Sequence, residues 1–365
     1  MKILIKREDL ERAISSVVGV VDRKQTMPIL GNILINKEGS NLKLTATNLE
    51  VQITSVTKVI EASSFESTAV SGRKFYEIIR TLDSKDLELT AEKGQLVIKT
   101  NNSSYKISTL PGVDFPLFDK PDSTETFKIK QEKLLSLFNK THFSMAQQDV
   151  RFYLNGLLLE TESNKIKVIA TDGHRLAASE TSLDKKQINK TASIVPRKAI
   201  HELIRLLDNK DDVRAEIGTN SICFTFNNLS FITKLIDGKF PDYNRVIPTN
   251  TEINIQLNSQ ALKPSLQRVS ILANEKFKGI RIETTGNSLE LSSENPEQEQ
   301  ANETIPLQEK VKKIVVGFNV SYLIDAVSSC DGNQVCLSLN DENSSALITS
   351  PEDKGTKYVV MPMRL

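Results

Sequence analysis

The residues whose types and spacing could do chemistry form one short run, Thr171-Asp172-Gly173-His174-Arg175-Leu176. Asp172 and His174 could act as an acid/base pair, or as two ligands of a hydrolytic metal. A metal hydrolase needs further ligands, however, and the chain has only three histidines. His142 and His201 fall on separate predicted helices, and no HxxxH, GxSxG, P-loop or GxGxxG pattern occurs. Asp-Gly is also a common tight-turn pair, so the run reads equally as a turn after a strand, with His174 and Arg175 displayed beside it. We carry the turn forward, and expect no catalytic residue, metal or cofactor. Cys223, Cys330 and Cys336 are odd in number and lack CxxC spacing. That predicts neither a disulfide framework nor a zinc site, and suits a reducing cytoplasm.

The element that must position this run is part of a long duplication. IVPRKAIHELIRLLDNKDD at 194–212 answers VSGRKFYEIIRTLDSKD at 70–86, with an offset of 124 at the front and 125 at the back. VIATD at 168–172 answers LTATN at 44–48, and KLIDGKFPDYNRVIP at 234–248 answers STLPGVDFPLF at 108–118. A repeat this long means duplicated domains, not a solenoid of small units. Ile200, Leu203, Ile204 and Leu207 fall at helical spacing, as do Phe75, Ile78, Ile79 and Leu82.

Spacing predicts six helices, over 7–21, 73–82, 131–145, 194–207, 259–273 and 319–328, two in each of three units, with the third unit fainter. Alternating strands lie between them, for example at 42–47, 52–60, 96–100, 105–110, 154–160, 165–170, 222–226, 335–340 and 357–361. The class is therefore α+β, three tandem units of two helices on two antiparallel sheets, at 1–121, 126–248 and 250–365. Pro264 removes a backbone donor, so its helix should start late or kink.

Net charge is only +1, yet the predicted helices together carry +5 and the remainder −4. Any contact with nucleic acid would therefore be made by a local positive surface rather than by a polycation. No apolar run approaches membrane-spanning length, and the first residues are charged too early for a signal peptide. The end, Tyr358-Val359-Val360-Met361-Pro362-Met363-Arg364-Leu365, is apolar where a frayed tail should be polar. Its methionines would make adaptable contacts for a partner's apolar side chains.

With TDGHRLA (171–177), IVPRK (194–198), DGKFPDYNRVIP (237–248), NPEQEQA (295–301), GFNVSY (317–322) and VVMPMRL (359–365), the chain closely resembles the bacterial sliding clamps over its full length. These are the beta subunits of the replicative DNA polymerase. The resemblance implies a head-to-tail ring homodimer of three-domain protomers, with helices lining a central hole. Such a ring encircles duplex DNA without reading sequence and tethers the polymerase. It implies DNA contacts at Lys24, Gln148, Phe152 and Tyr153, and the basic helix faces add Arg73, Arg80, Arg197, Lys198 and Arg205.

It also implies an apolar cleft for short peptides of the polymerase and the clamp loader. One part of that cleft would be Leu154, Thr171, Gly173, His174, Arg175 and Leu176. A second part would be Pro241, Arg245, Val246, Asn319, Tyr322 and Ser345, with Val359, Val360, Met361, Pro362, Met363, Arg364 and Leu365 completing it. The dimer seam would set an edge strand at Tyr105 and Ile107 against Ile271 and Leu272, with Lys74 facing Glu297 or Glu299. Two rivals stand beside this. A nucleic-acid hydrolase would use Asp172 and His174 for turnover, and a monomeric repeat scaffold would bind proteins but not DNA.

Overall fold

The computed structural model describes residues 2–21, 27–184, 188–208 and 211–364. Lys24 and Leu365 lie outside the described residues. Six α-helices occur among them: α1 (Arg7–Val17), α2 (Gly72–Thr81), α3 (Gln131–Asn139), α4 (Arg197–Leu206), α5 (Ser259–Val269) and α6 (Val320–Ser329).

Each helix follows from the apolar spacing, and each end has a local cause. Leu10, Ala13, Ile14 and Val17 form the buried stripe of α1, with Glu8 and Asp9 in the first turn, where the helix dipole favours acids. The α form stops at Val17 rather than Val21, and Val18–Val20 continues as a 3-10 turn. A glycine among β-branched valines supports a regular helix poorly. Likewise α3 stops at Asn139 and a separate 3-10 turn covers His142–Ser144, with Thr141 Oγ1 donating back to the Leu137 carbonyl at 2.7 Å. Pro264 does not delay α5, which begins at Ser259 with the Asn258 side chain accepting from Gln260 N. In α6 the Asn319 side chain caps Ser321 N and Tyr322 N.

The chain forms two compact units, residues 1–132 with 201–235, and residues 133–200 with 236–365. In the first, thirteen strands form one antiparallel sheet. It is continuous because Val51–Lys58 pairs with Leu229–Lys234, Val51 facing Thr233. In the second, an eight-stranded sheet is joined the same way, Arg175–Ser182 pairing with Asp353–Val360 and Arg175 facing Val360. A four-stranded sheet lies in the same unit, edged by the long strand Gln300–Val311. Sheets that read as separate in the sequence are thus fused by ladders between repeats. The large core of the second unit packs Leu262, Leu266 and Val269 of α5 and Leu323 and Val327 of α6 around Tyr358 and Phe318.

Candidate functional site

Thr171 ends the strand Lys165–Thr171, and Arg175 begins the next, Arg175–Ser182. The turn between them is built by side chains. Asp172 Oδ1 accepts from His174 N at 2.9 Å and Arg175 N at 3.0 Å, and Thr171 Oγ1 accepts from Gly173 N at 3.1 Å. Gly173 has φ 91, a left-handed conformation open to glycine at no steric cost. The expected Asp-Gly turn is therefore present. It also accounts for Asp172, whose carboxylate is already engaged with backbone and with Arg175. No group of three or more His, Cys, Asp or Glu that could hold a metal occurs among the described residues.

Arg175 is not displayed, as the sequence suggested, but clamped. Its Nε donates to Asp172 Oδ2 at 3.0 Å, Nη1 to Asp325 Oδ2 at 2.6 Å and Nη2 to the Phe143 carbonyl at 2.6 Å. The guanidinium also stands 4.4 Å from the centre of the Tyr322 ring and 5.5 Å from that of Phe143. Burial pushes the Tyr322 hydroxyl above its ordinary pKa. Arg175 therefore locks the turn to α6 and to the 3-10 turn at His142–Ser144. It is a positioning residue.

Beside this turn opens a cavity of about 200 Å³, more apolar than polar, lined by Leu154, Thr171, Gly173, Arg175, Leu176, Pro241, Val246, Val359 and Met361. All nine were expected in the cleft. Four further wall residues were not: Arg151, Tyr153, Asp242 and Tyr243. Tyr153, also an expected DNA contact, packs its ring with the cluster of Leu158, Ile169, Leu176, Ile194, Phe240 and Val359. The neighbouring Phe152 is the displayed ring, at 73% exposure. Both belong to a 3-10 turn at Phe152–Leu154, and so short an element has no sequence period to reveal which ring turns inward. Tyr243 donates to Glu160 Oε2 at 2.7 Å, and burial followed by that carboxylate raises its pKa. At the mouth, Arg151 pairs with Asp149 and donates to the Asp172 carbonyl at 3.2 Å; hydrogen bonds from Arg151 hold Asp149 at about 2.

Other residues expected in the cleft stand outside the lining of this cavity. Val360 is buried in the large core, on the opposite face of its strand from Val359. Asn319 is spent on capping α6, and Tyr322 lies beneath Arg175. His174, Arg245, Ser345, Pro362, Met363 and Arg364 do not line the cavity. His174 shapes it indirectly, because its carbonyl accepts from Met361 N at 2.9 Å; Met363 N in turn donates to the Gly317 carbonyl at 2.8 Å. The apolar tail is thereby pinned at two points rather than frayed.

Of the expected DNA contacts, Gln148 is exposed, with φ 56. Arg73, Arg80 and Lys198 lie on exposed helix positions, Arg80 pairing with Glu77 at 2.7 Å. Three cations are more occupied than the helical pattern suggested, and the first, Arg73, donates to the Val21 carbonyl at 3.3 Å. Arg197 donates to the Met145 carbonyl at 2.8 Å, and burial, then the Arg175 charge, lowers its pKa. Arg205 donates to the Ser15 and Ser16 carbonyls at 3.3 and 3.1 Å and pairs with Glu202, joining α4 to α1.

At the expected seam, Ser104–Pro111 pairs along one side with Gln95–Lys99, while Thr68–Ser71 covers its other side only from Thr109 onward. Tyr105 on that open stretch is 37% exposed and Ile107 is buried. Ile271 is 75% exposed, Leu272 partly buried, and Lys74, Glu297 and Glu299 are exposed.

Comparison with known proteins places this geometry. A family model described as the N-terminal domain of the DNA polymerase III beta subunit matches residues 1–119, one for its central domain matches 128–242, and one for its C-terminal domain matches 244–364. The beta sliding clamp of Pseudomonas putida is 40% identical, and that of Escherichia coli K12 37% identical, each covering 100% of both chains. The crystal structure of the DNA polymerase III subunit beta from Pseudomonas aeruginosa superposes with a TM-score of 0.97 at 39% identity, covering 100% of both chains. Matched along its length in sequence and in structure, the chain belongs to the DNA polymerase III beta subunits, the sliding clamps, which are processivity factors rather than catalysts.

Proposed function

We propose that two copies of this chain close head to tail into a ring around duplex DNA, and that the cavity beside Gly173 captures short apolar peptides of the polymerase and the clamp loader. One observation carries the tethering half of this reading. An apolar cavity large enough for bulky side chains is framed by a turn and a tail that are already hydrogen-bonded in place. A Pseudomonas aeruginosa clamp structure bound to griselimycin, 39% identical to this chain, supports a ligand-accepting surface in such proteins.

The ring half rests on the open edge of Ser104–Pro111 and the exposed Ile271. Strand addition across such an edge satisfies its unpaired backbone groups and buries the neighbouring apolar side chains. Lys74 facing Glu297 or Glu299 would add exposed ion pairs worth about 0–1 kcal/mol each. The domain limits we propose are 1–121, 126–248 and 250–365, which the family matches at 1–119, 128–242 and 244–364 support.

DNA is held without base contacts. Arg73, Arg80, Lys198 and the loop at Gln148 and Phe152 contribute to a modest positive surface, with Lys24 as a further candidate from sequence. Weak phosphate contacts suit sliding, because strong ones would act as a brake and retention comes from threading. No described helix is long and apolar enough to cross a membrane, and a cytoplasmic site beside DNA fits this role. Loading onto nicked circular DNA by a clamp loader tests the whole reading. Retention on the circle should survive high salt and be lost once the circle is cut to linear form. Equal loss from both forms on raising salt would show ordinary phosphate binding instead.

A further inference from the structure

The turn at 171–175 has a twin. Thr47-Asn48-Leu49-Glu50-Val51 stands 124 residues earlier in the first repeat, and it makes the same hydrogen bonds. Thr47 Oγ1 accepts from Leu49 N at 3.1 Å, as Thr171 Oγ1 does from Gly173 N. Asn48 Oδ1 accepts from Glu50 N and Val51 N at 3.0 and 2.8 Å, as Asp172 Oδ1 does from His174 N and Arg175 N. Lys234 N donates to the Glu50 carbonyl at 2.9 Å, as Met361 N does to the His174 carbonyl. Small apolar clusters lie beneath both, Leu34, Ala69 and Phe115 in one answering Leu158, Ile194 and Phe240 in the other.

The two copies differ in what fills them. The second leaves a cavity of about 200 Å³, and Gly173 brings no side chain to it. In the first, the position of Gly173 is taken by Leu49, which holds φ 71 and packs its side chain onto the cluster of Ile29, Leu30, Leu34, Ala69 and Phe115. A leucine with positive φ is conformationally costly, so its retention there needs a compensating contact, and the apolar filling supplies one. Other wall positions have changed as well. Leu176 is answered by Gln52, whose Oε1 accepts from Phe118 N at 2.7 Å. Met361 is answered by Lys234, whose Nζ stands 5.2 Å from the centre of the Phe118 ring. Phe118 itself stands where Tyr243 lines the open cavity.

We propose that the first repeat carries a closed copy of the peptide cleft, and that Leu49 is the residue that closes it, limiting each chain to one captured peptide. This rests on the reading of the second copy as the peptide cleft. Specificity here is a matter of occupancy: a side chain of the chain itself sits where a partner's would, and excludes it.

Isothermal titration of the full-length protein with a short synthetic peptide carrying adjacent Leu and Phe tests this. Leu49→Gly removes the filling while suiting the left-handed backbone, and adding Gln52→Leu restores an apolar wall. Stoichiometry should rise from about one peptide per chain to about two, the added site being the weaker. In a Leu176→Asp background, which blocks the open cleft, binding should vanish and then return to about one on adding Leu49→Gly with Gln52→Leu. Leu49→Ala carries the same test should the glycine variant fail to fold, as read by circular dichroism. A stoichiometry that stays at one in folded Leu49 variants overturns the proposal while leaving the cleft reading intact. No binding by the unaltered chain overturns both.

Discussion

Lys140 shows what a single side chain contributes here. Its ammonium bridges Asp331 at 2.5 Å and Asp353 at 2.6 Å, and both Lys140 and Asp353 are largely buried. Burial works against both charges, but the hydrogen bonds and mutual attraction win, so the Lys140 pKa is raised and that of Asp353 is lowered. The stability Asp353 adds is present above its unfolded pKa of about 3.9 and disappears as pH falls through its lower folded value. That from Lys140 is complete below about 10.4 and is lost as pH rises through its raised folded value. Asp353→Asn should therefore be less stable than the unaltered chain by a constant margin between about pH 5 and pH 9, shrinking toward acid. Urea unfolding at several pH values reads that margin, and a margin that widens toward acid would contradict the assignment. Burial also pushes the neighbouring Cys330 thiol up to about 12, so it stays protonated and unreactive at neutral pH.

At the scale of elements, strong periodicity was legible and weak periodicity was not. All six helices were readable because their apolar stripes face cores, as Phe75 and Ile79 in α2 and Leu323 and Val327 in α6 illustrate. Lys2–Lys6, Arg175–Ser182, Ile188–Pro196 and Gln300–Val311 were not readable as strands. The first is short and flanked by charge. The second is rich in Ala, Ser and Thr, and the fourth is a polar edge with Pro306 in it, so none shows the clean alternation of a half-buried strand. Of the thirteen residues lining the cavity beside Gly173, nine are among those the resemblance implied. Arg151, Tyr153, Asp242 and Tyr243 escaped because short turns, not helices or strands, aim their side chains. Pro264 is the clearest local conflict, an imino acid inside α5 where the Gln260 carbonyl would otherwise receive a backbone N–H. Pro264→Ala should stabilise the chain by about 1–3 kcal/mol, raising the denaturation midpoint. An unchanged or lower midpoint would mean the helix has already absorbed the defect.

For the molecule as a whole, the proposed closure into a ring rests on the open edge of Ser104–Pro111 and on the exposed Ile271. Ile271 offers the largest exposed apolar side chain at the proposed seam, at 75% exposure. Ile271→Asp would place a charge against the partner's apolar side chains and should weaken the dimer at least tenfold, about 1.4 kcal/mol or more. Sedimentation equilibrium would read the shift, and an unaltered dissociation constant would remove Ile271 from the seam. The ladders that join successive repeats, Val51–Lys58 with Leu229–Lys234 and Arg175–Ser182 with Asp353–Val360, have a mechanical consequence. Shearing either one along its strands loads a whole row of amide contacts together, so each behaves as a stiff weld. In the proposed ring, force applied across either ladder would therefore meet resistance from every amide pair in it at once.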